Sequence, residues 1–321
     1  MSRDKGDFFM QYRKMGNTGV KVSEISLGSW LTYGNGVEDN TAENIIDAAY
    51  NGGVNFFDTA NVYAIGEAEK VVGKALKKYD RDSFVLATKV FFPMGEGVND
   101  KGLSRKHITE QVHHSLKRLQ MDYVDVLYCH RYDEETPLYE TLRAIDDLIR
   151  QGKVLYAGIS SWSPEQIEEA IKIADQKLLD RIVIHQPCYN MLQRNIEKEI
   201  IPTCEKFGIM QAVYCPLAQG FLTGKYLNGI PDDSRAANAK MNGFISDYKE
   251  SEILEKTQKI KNIADELGIP MSNLALAWIL REKNIASAII GASKPSQVEE
   301  NVKASGYIIP ADAMAELDKI L

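Results

Sequence analysis

Short apolar runs alternate with amphipathic helical segments along almost the whole chain, and this alternation constrains the fold most. Eight runs are typical of buried strands, at residues 24–28, 54–57, 84–88, 124–129, 154–159, 182–185, 211–214 and 286–290. Strands that alternate with helices lie parallel, and eight of them favour closure over an open sheet. An open dinucleotide-binding sheet would also need a Gly-x-Gly-x-x-Gly turn after its first strand, where this chain has Gly28-Ser29-Trp30-Leu31. We therefore predict an α/β fold of the (β/α)8 TIM-barrel type.

The N-terminal part carries a separate signal. Asn17-Thr18-Gly19 is a turn sequence between two short strand-like runs, 12–14 and 20–22, and it predicts a β-hairpin ahead of the barrel. Residues 1–9 are interpreted as a polar N-terminal extension, and residues 10–321 as a single barrel domain.

Capping residues predict where two of the helices begin. Asn40 and Glu43 form a candidate capping pair for a first helix at about 41–50. Ser163 and Gln166, with a proline between them, predict a capping box on a later helix.

Composition excludes several classes of function. The net charge is −7 over 321 residues and there is no basic block, so we expect no nucleic-acid partner. The four cysteines show neither metal-ligand spacing nor a compact disulfide pattern, which favours reduced thiols, a cytoplasmic location and no metal site. No apolar run is long enough to span a bilayer and no leader is recognisable, so we expect no membrane insertion.

Four polar groups lie at or just beyond the ends of predicted strands. Asp58 follows the second strand and begins the string that ends at Tyr63, Lys89 follows the third, and His130 follows the fourth. A parallel barrel brings all its strand ends to one rim, so these groups should converge. Each alone has a structural explanation: Asp58 as a cap, Tyr63 as packing and His130 as a core residue. A lysine at a buried strand end needs a partner, and Asp58 is the natural one.

The combination suits carbonyl reduction. A hydride that reaches a carbonyl carbon leaves an alkoxide that needs a proton, which Tyr63 could donate. A neighbouring Lys89 ammonium would ease ionisation of the phenol, Asp58 would hold the lysine, and a neutral His130 could orient the carbonyl oxygen. Because no side chain delivers hydride, this interpretation implies a nicotinamide cofactor.

The chain resembles the aldo-keto reductases over essentially its whole length. The matching segments are Gly28-Ser29-Trp30 and residues 58–63, 86–89, 115–119, 186–190 and 214–218. The resemblance is strongest to the branch of bacterial aldo-keto reductases and voltage-gated potassium-channel β subunits. It implies that Tyr63 is the general acid, supported by Asp58, Lys89 and His130.

The resemblance also implies a set of cofactor contacts. Ser160 and Gln186, with Ser161 beside them, would hold the nicotinamide amide, and Tyr214 would stack on its ring. The backbone from Pro216 to Gly220, with Lys225, would hold the pyrophosphate. The complete set of cofactor residues is Gly28, Ser29, Trp30, Asp58, Ser160, Gln186, Tyr214, Pro216, Leu217, Ala218, Gly220, Lys225, Arg235, Gly291, Ser293, Gln297, Glu300 and Asn301. The last five match the adenosine end, where Pro295 begins a helix whose N-terminus can attract phosphate.

The substrate end is less defined. A small-molecule carbonyl substrate is implied, and Trp30, Tyr63, Phe91, Phe92 and Trp162 would line an open pocket suited to aromatic or medium-sized aldehydes. The assembly stays open between a monomer and a homo-oligomer.

Two other classes of function compete with the reductase. One is a regulatory subunit on a reductase scaffold, as in the potassium-channel β subunits, although that group typically has asparagine at the position of His130. The other is a barrel lyase or aldolase that uses Lys89 as a Schiff base.

We predict that NADPH is preferred over NADH, because Lys225, Arg235 and Lys294 are candidates to bind the 2′-phosphate. Many NADPH-preferring relatives carry basic side chains where this chain has Gly291 and Gln297. Steady-state kinetics with each cofactor and one aldehyde measure the preference. Equal catalytic efficiency with NADH and NADPH would contradict it.

Overall fold

Eight parallel strands form a closed barrel at the centre of the protein, which confirms the predicted α/β barrel. The computed structural model describes residues 10–30, 33–34, 38–231, 234, 237 and 251–321. The barrel strands are β3 (Ile25–Gly28), β4 (Phe56–Asp58), β5 (Val85–Val90), β6 (Val124–Cys129), β7 (Val154–Ser160), β8 (Ile182–Gln186), β9 (Met210–Val213) and β10 (Ile285–Ile290). Each strand pairs with the next along the chain, and β10 returns to β3 with Ile290 opposite Leu27.

Helices cover the outside of the barrel. They are α1 (Asp39–Asn51), α2 (Glu67–Leu76), α3 (Arg105–Leu119), α4 (Leu138–Arg150), α5 (Pro164–Lys177), α6 (Ile200–Phe207), α7 (Ser251–Glu266), α8 (Met271–Leu280), α9 (Pro295–Asn301) and α10 (Ala311–Ile320). Their apolar faces and the outward-facing side chains of the strands form one continuous core. Burial of this layer from water is the main driving force for the fold.

An N-terminal hairpin closes one end of the barrel, also as predicted. Its strands are β1 (Tyr12–Lys14) and β2 (Lys21–Ser23), which pair antiparallel with Tyr12 opposite Ser23. Met15 and Val22 of the hairpin are fully buried in the same cluster as Phe56, Val126 and other inward-facing barrel residues. The hairpin therefore closes the amino-terminal end and leaves the carboxyl ends of the strands for a site.

The two predicted helix caps had different outcomes. Ser163 accepts a hydrogen bond from the backbone N–H of Gln166, and the Gln166 side chain accepts one from the backbone N–H of Ser163, so the capping box of α5 is confirmed. The predicted pair Asn40 and Glu43 is wrong. Helix α1 already begins at Asp39, without a side-chain cap, and Glu43 instead pairs with Lys74 of α2.

The predicted extension, residues 1–9, lies outside the described residues. In the ranges that the structure describes, no single helix is both long enough and apolar enough to cross a bilayer. The bent pair α7–α8 meets the criterion of length and composition only when both helices are taken together, across a 96° bend.

We predict that Gly73→Ala lowers the free energy of unfolding, because α2 and α3 touch at this glycine. A Cβ at Gly73 would overlap the backbone carbonyl of Leu119, which cannot rotate away as a side chain could. Overpacking costs about 1–3 kcal/mol, and a backbone obstacle places this variant toward the upper end.

Urea denaturation of wild type and variant measures the difference. Gly19→Ala is the matched control, because a Cβ there meets nothing within 4 Å, and its stability should be equal or slightly higher. Equal unfolding free energies for the two variants would contradict the close contact between α2 and α3.

Candidate active site

Several polar groups of the site lie two residues beyond a strand residue that faces the barrel interior. Side chains alternate along a strand, so positions two residues apart share a face. On β5, Val85 and Ala87 face the barrel interior and Lys89 follows them. On β4, Phe56 precedes Asp58 in the same way. The same step of two leads from Tyr128 to His130, from Ile184 to Gln186 and from Ala212 to Tyr214. The strand period therefore places these groups together at the carboxyl end.

A buried ion pair forms the base of the site. Lys89 is fully buried, and its Nζ donates to Asp58 Oδ1 and to the carbonyl oxygen of Thr59, the latter at 2.9 Å. The second carboxylate oxygen of Asp58 accepts a hydrogen bond of 2.9 Å from Gln186 Nε2. Burial lowers the pKa of Lys89, and the Asp58 carboxylate opposes that shift. The predicted pairing of these two groups is present.

The loop after β4 places Tyr63 above this pair. Lys89 Nζ lies 5.0 Å from the centroid of the Tyr63 ring, which packs edge-on against the ring of His130 with centroids 5.7 Å apart. Tyr63 is followed by Ala64 and Ile65, both at positive φ, 49° and 51°. A β-branched residue rarely adopts this conformation, and such strain persists only where the surroundings impose it.

The electrostatics keep both hydrogen-bonding rings neutral. Burial, with a contribution from the Asp58 charge, raises the pKa of Tyr63 well above 10, so the phenol stays protonated. Desolvation and the charges of Lys89 and Arg131 lower the pKa of His130 to about 2. A neutral imidazole was expected. We expected Lys89 to lower the pKa of the Tyr63 phenol. Burial instead raises that pKa, and Arg131 is the neighbouring cation that lowers it.

The structure also brings together the residues expected around a nicotinamide. Ser160 Oγ donates to the Gln186 carbonyl oxygen at 2.8 Å, and the Ser161 backbone N–H donates to the same oxygen at 3.2 Å. Burial raises the pKa of the half-buried Tyr214, and Ser161 lies close enough to its side chain to oppose that shift. These groups lie at the ends of β7, β8 and β9, and Gln186 joins them to Asp58 through its side-chain hydrogen bond.

The segment after β3 also approaches this rim. Ser29 follows Gly28 at the end of β3, where its N–H donates to the Asp58 carbonyl oxygen at 3.0 Å and its hydroxyl bonds Thr59. Trp30 beside it is half-buried.

The segment 215–220 has several left-handed residues, including Ala218, Gln219 and Gly220. A Cβ at Gly220 would lie 2.9 Å from Lys225 Nζ, so this lysine folds over the glycine backbone. Left-handed turns next to an ammonium make a concavity that suits a pyrophosphate, and Pro216, Leu217 and Ala218 belong to it.

The expected adenosine contacts lie after β10, next to β3. Ser293 and Gln297 hydrogen-bond each other, with the Ser293 N–H 2.8 Å from the Gln297 side-chain oxygen, and Gly291 is exposed beside them. Glu300 accepts from Asn273 at 3.1 Å, and Asn301 is buried. Arg235 lies outside the described residues.

The expected pocket lining is partly different. Phe92 packs edge-on against His130 at 4.8 Å between centroids, and Phe91 packs against Phe92. Trp162 instead is only 1% exposed and packs against Tyr132, so it lies beneath the rim.

Sequence reasoning missed two charged groups. Arg131 directly follows His130, and a charge immediately after a strand-end histidine could have identified it. Glu69 is fully buried between α2 and the strands, where it accepts hydrogen bonds from Thr88 and Arg118. Only the packing of α3 on α2 shows that this helical glutamate is internal.

The structure is a (β/α)8 barrel in which Asp58, Tyr63, Lys89 and His130 converge at the carboxyl rim. This is the arrangement that the resemblance to aldo-keto reductases predicted. The sequence pattern of the Aldo/keto reductase family matches residues 24–321. The chain therefore belongs to the aldo/keto reductase family.

Relatives from two plants and a yeast cover the chain almost completely. Two plant proteins named "Probable voltage-gated potassium channel subunit beta" are 45% identical in Arabidopsis thaliana and 43% identical in Oryza sativa subsp. japonica, each over 315 residues. Each alignment covers 97% of this chain and 95% of the relative. A protein of Schizosaccharomyces pombe, also named as a voltage-gated potassium channel subunit beta, is 42% identical over 319 residues, covering 97% of this chain and 93% of the relative.

We predict that His130→Asn makes stability less sensitive to acid. The pKa of His130 is about 2 in the folded chain, against 6.5 for a free imidazole. Below pH 6.5 the unfolded chain therefore binds a proton that the folded chain does not, and the free energy of unfolding falls as pH falls. The expected slope from this group is about 1.4 kcal/mol per pH unit, and asparagine removes it.

Urea denaturation at several pH values between 7.5 and 4.5 measures the slopes of wild type and variant. His114→Asn, on the exposed side of α3, controls for the loss of a histidine as such and should keep the wild-type slope. Parallel curves for wild type and His130→Asn would show that the buried imidazole is not neutral in the folded state.

Proposed function

We propose that the protein is an NADPH-dependent oxidoreductase that reduces aldehydes or ketones to alcohols, with Tyr63 as the general acid. The observation that carries the proposal is the position of the Tyr63 hydroxyl. Within the described part of the chain this hydroxyl has no hydrogen-bond partner, although its ring lies over the Lys89 ammonium and against His130. A half-buried phenol that is protonated and unpartnered is poised to donate to a bound carbonyl oxygen.

The residues around Tyr63 have separate roles in the proposed reaction. Neutral His130, whose ring packs edge-on against Tyr63, aligns the carbonyl oxygen. As charge develops on that oxygen, Tyr63 transfers its proton, because an alkoxide is more basic than a phenolate. The guanidinium of Arg131 and the ammonium of Lys89 then stabilise the phenolate, and Asp58 keeps the ammonium in place.

The cofactor residues support the same proposal. When bound, the nicotinamide supplies the hydride. Ser160, Ser161 and Gln186 would hold its amide and Tyr214 its ring, which keeps the reacting face next to Tyr63. The turn at Gly220 with Lys225 would hold the pyrophosphate. Cys129, Cys188 and Cys204 are free thiols, which supports the cytoplasmic location that we propose with this function.

The relatives' names favour a second candidate, a regulatory subunit for a potassium channel. On that proposal the same scaffold binds nicotinamide cofactor and acts on a channel partner without rapid turnover. The Schiff-base alternative has less support, because Lys89 is fully buried and its Nζ is held by Asp58 and Thr59.

We predict that Tyr63→Phe lowers kcat/KM for 4-nitrobenzaldehyde by roughly 10²–10⁴-fold, because the variant lacks the proton donor and keeps the ring. NADPH oxidation measures turnover, and quenching of protein fluorescence by NADPH measures cofactor binding, which should change little. Tyr139→Phe is the matched control on the exposed side of α4 and should retain turnover.

Turnover of Tyr63→Phe within tenfold of wild type would remove the general-acid assignment. Binding of NADPH by the wild type without reduction of any aldehyde in a broad panel would reject the reductase and favour the regulatory subunit.

A further inference from the structure

Arg131 brings an unneutralised charge to the catalytic rim. It is half-buried, and its Nη1 donates to the carbonyl oxygen of His130 at 2.6 Å and to Ser160 Oγ at 3.4 Å. These two acceptors are neutral. Across the ranges that the structure describes, no carboxylate lies within ion-pair distance of Arg131, and Nε and Nη2 have no protein acceptor. A guanidinium in this position keeps most of its hydrogen-bonding capacity for a ligand.

The other charges around the site cancel. Lys89 pairs with Asp58, and the more distant Arg118 pairs with buried Glu69. His130 and Tyr63 are neutral for the reasons given above. Arg131 therefore leaves this part of the rim with one net positive charge, and partial burial of such a charge is costly unless an anion pairs with it.

The guanidinium lies beside the rings that we expect around the carbonyl compound. Its central carbon is 5.5 Å from the centroid of the Phe92 ring, and that ring packs against His130 at 4.8 Å. The charge is also close enough to lower the pKa of both Tyr63 and His130. An anion on Arg131 would thus lie within a few bonds of a carbonyl held by Tyr63 and His130.

The cofactor phosphates do not account for this charge. The proposed pyrophosphate contacts follow β9 and the adenosine contacts follow β10, whereas Arg131 and Ser160 lie at the ends of β6 and β7. This is the nicotinamide end, where the cofactor presents a neutral carboxamide. A carboxamide can accept a hydrogen bond from Arg131 but cannot neutralise it.

We propose that Arg131 binds a carboxylate of the substrate, and that the preferred substrates are aldehydes or ketones with a carboxylate a few bonds from the carbonyl. This inference rests on the proposed reductase function. The planar guanidinium suits the purpose, because its remaining N–H groups can meet a carboxylate with two parallel hydrogen bonds. The pair would orient the carbonyl toward Tyr63 and select against neutral aldehydes of the same size.

The test compares two aldehydes that differ in charge and little in shape. In 4-carboxybenzaldehyde and 4-nitrobenzaldehyde the para group is planar with two oxygens, but only the first is an anion. For Arg131→Gln, kcat/KM should fall at least tenfold more on the carboxylate than on the nitro compound, chiefly through KM. Taking the ratio of the two losses cancels the difference in intrinsic reactivity between the aldehydes.

Two variants and one binding measurement complete the design. Arg131→Lys keeps the charge without the planar fork and should show a smaller selective loss. Arg181→Gln removes an exposed arginine that pairs with Asp175 outside the proposed site, and should leave the ratio at the wild-type value. Inhibition by the product 4-(hydroxymethyl)benzoate should weaken at least tenfold in Arg131→Gln, more than inhibition by 4-nitrobenzyl alcohol.

The outcomes separate this inference from the proposed function. Reduction of both aldehydes with an unchanged ratio in Arg131→Gln would overturn the carboxylate site and leave the reductase intact. An unchanged ratio with a tenfold weaker affinity for NADPH would also overturn it, and would assign Arg131 to the nicotinamide amide. Reduction of neither aldehyde by the wild type would reject the reductase itself.

Discussion

The site depends on one interaction, the buried ion pair between Lys89 and Asp58. An ammonium with no exposed surface is tolerable only because Asp58 and the Thr59 carbonyl oxygen satisfy it. Removal of one member of such a pair typically costs about 3–5 kcal/mol, because the remaining charge is left unpaired. Backbone hydrogen bonds of the same two residues join the neighbouring segments: the Asp58 carbonyl oxygen accepts from the Ser29 N–H, and the Lys89 carbonyl oxygen accepts from the Asn61 N–H.

The chemistry of the rim follows from this arrangement. Burial is the main reason why Tyr63 and His130 stay uncharged, and the Asp58 charge at Tyr63 and the Lys89 charge at His130 act in the same direction. A protonated phenol and a neutral imidazole are the forms that can donate to a carbonyl oxygen. Arg131 is then the charge that remains, which makes it the group on the rim most able to discriminate between substrates by charge.

Much of this architecture is encoded locally. The alternation of apolar runs and helical segments predicted eight parallel strands and their closure, and the turn 17–19 predicted the hairpin. The capping box at Ser163 was predicted because both partners lie within three residues of each other. The predicted cap at Asn40 was wrong because α1 already begins at Asp39, and Glu43 pairs with Lys74 of the next helix, a contact that no local pattern reveals. Arg235 and the extension 1–9 remain expectations from the sequence.

The sequence by itself determined which groups reach the rim, because the two-residue period of a strand carries Asp58, Lys89, His130 and Gln186 to the interior face at the carboxyl end. Only the tertiary structure decided what those groups do to one another. It joined Gln186 to Asp58, buried Glu69 behind Thr88, and placed Arg131 beside Ser160 without a carboxylate among the described residues. Distance, desolvation and nearby charge depend on residues far apart in the chain, and together they shift the pKa values of Tyr63, Lys89 and His130.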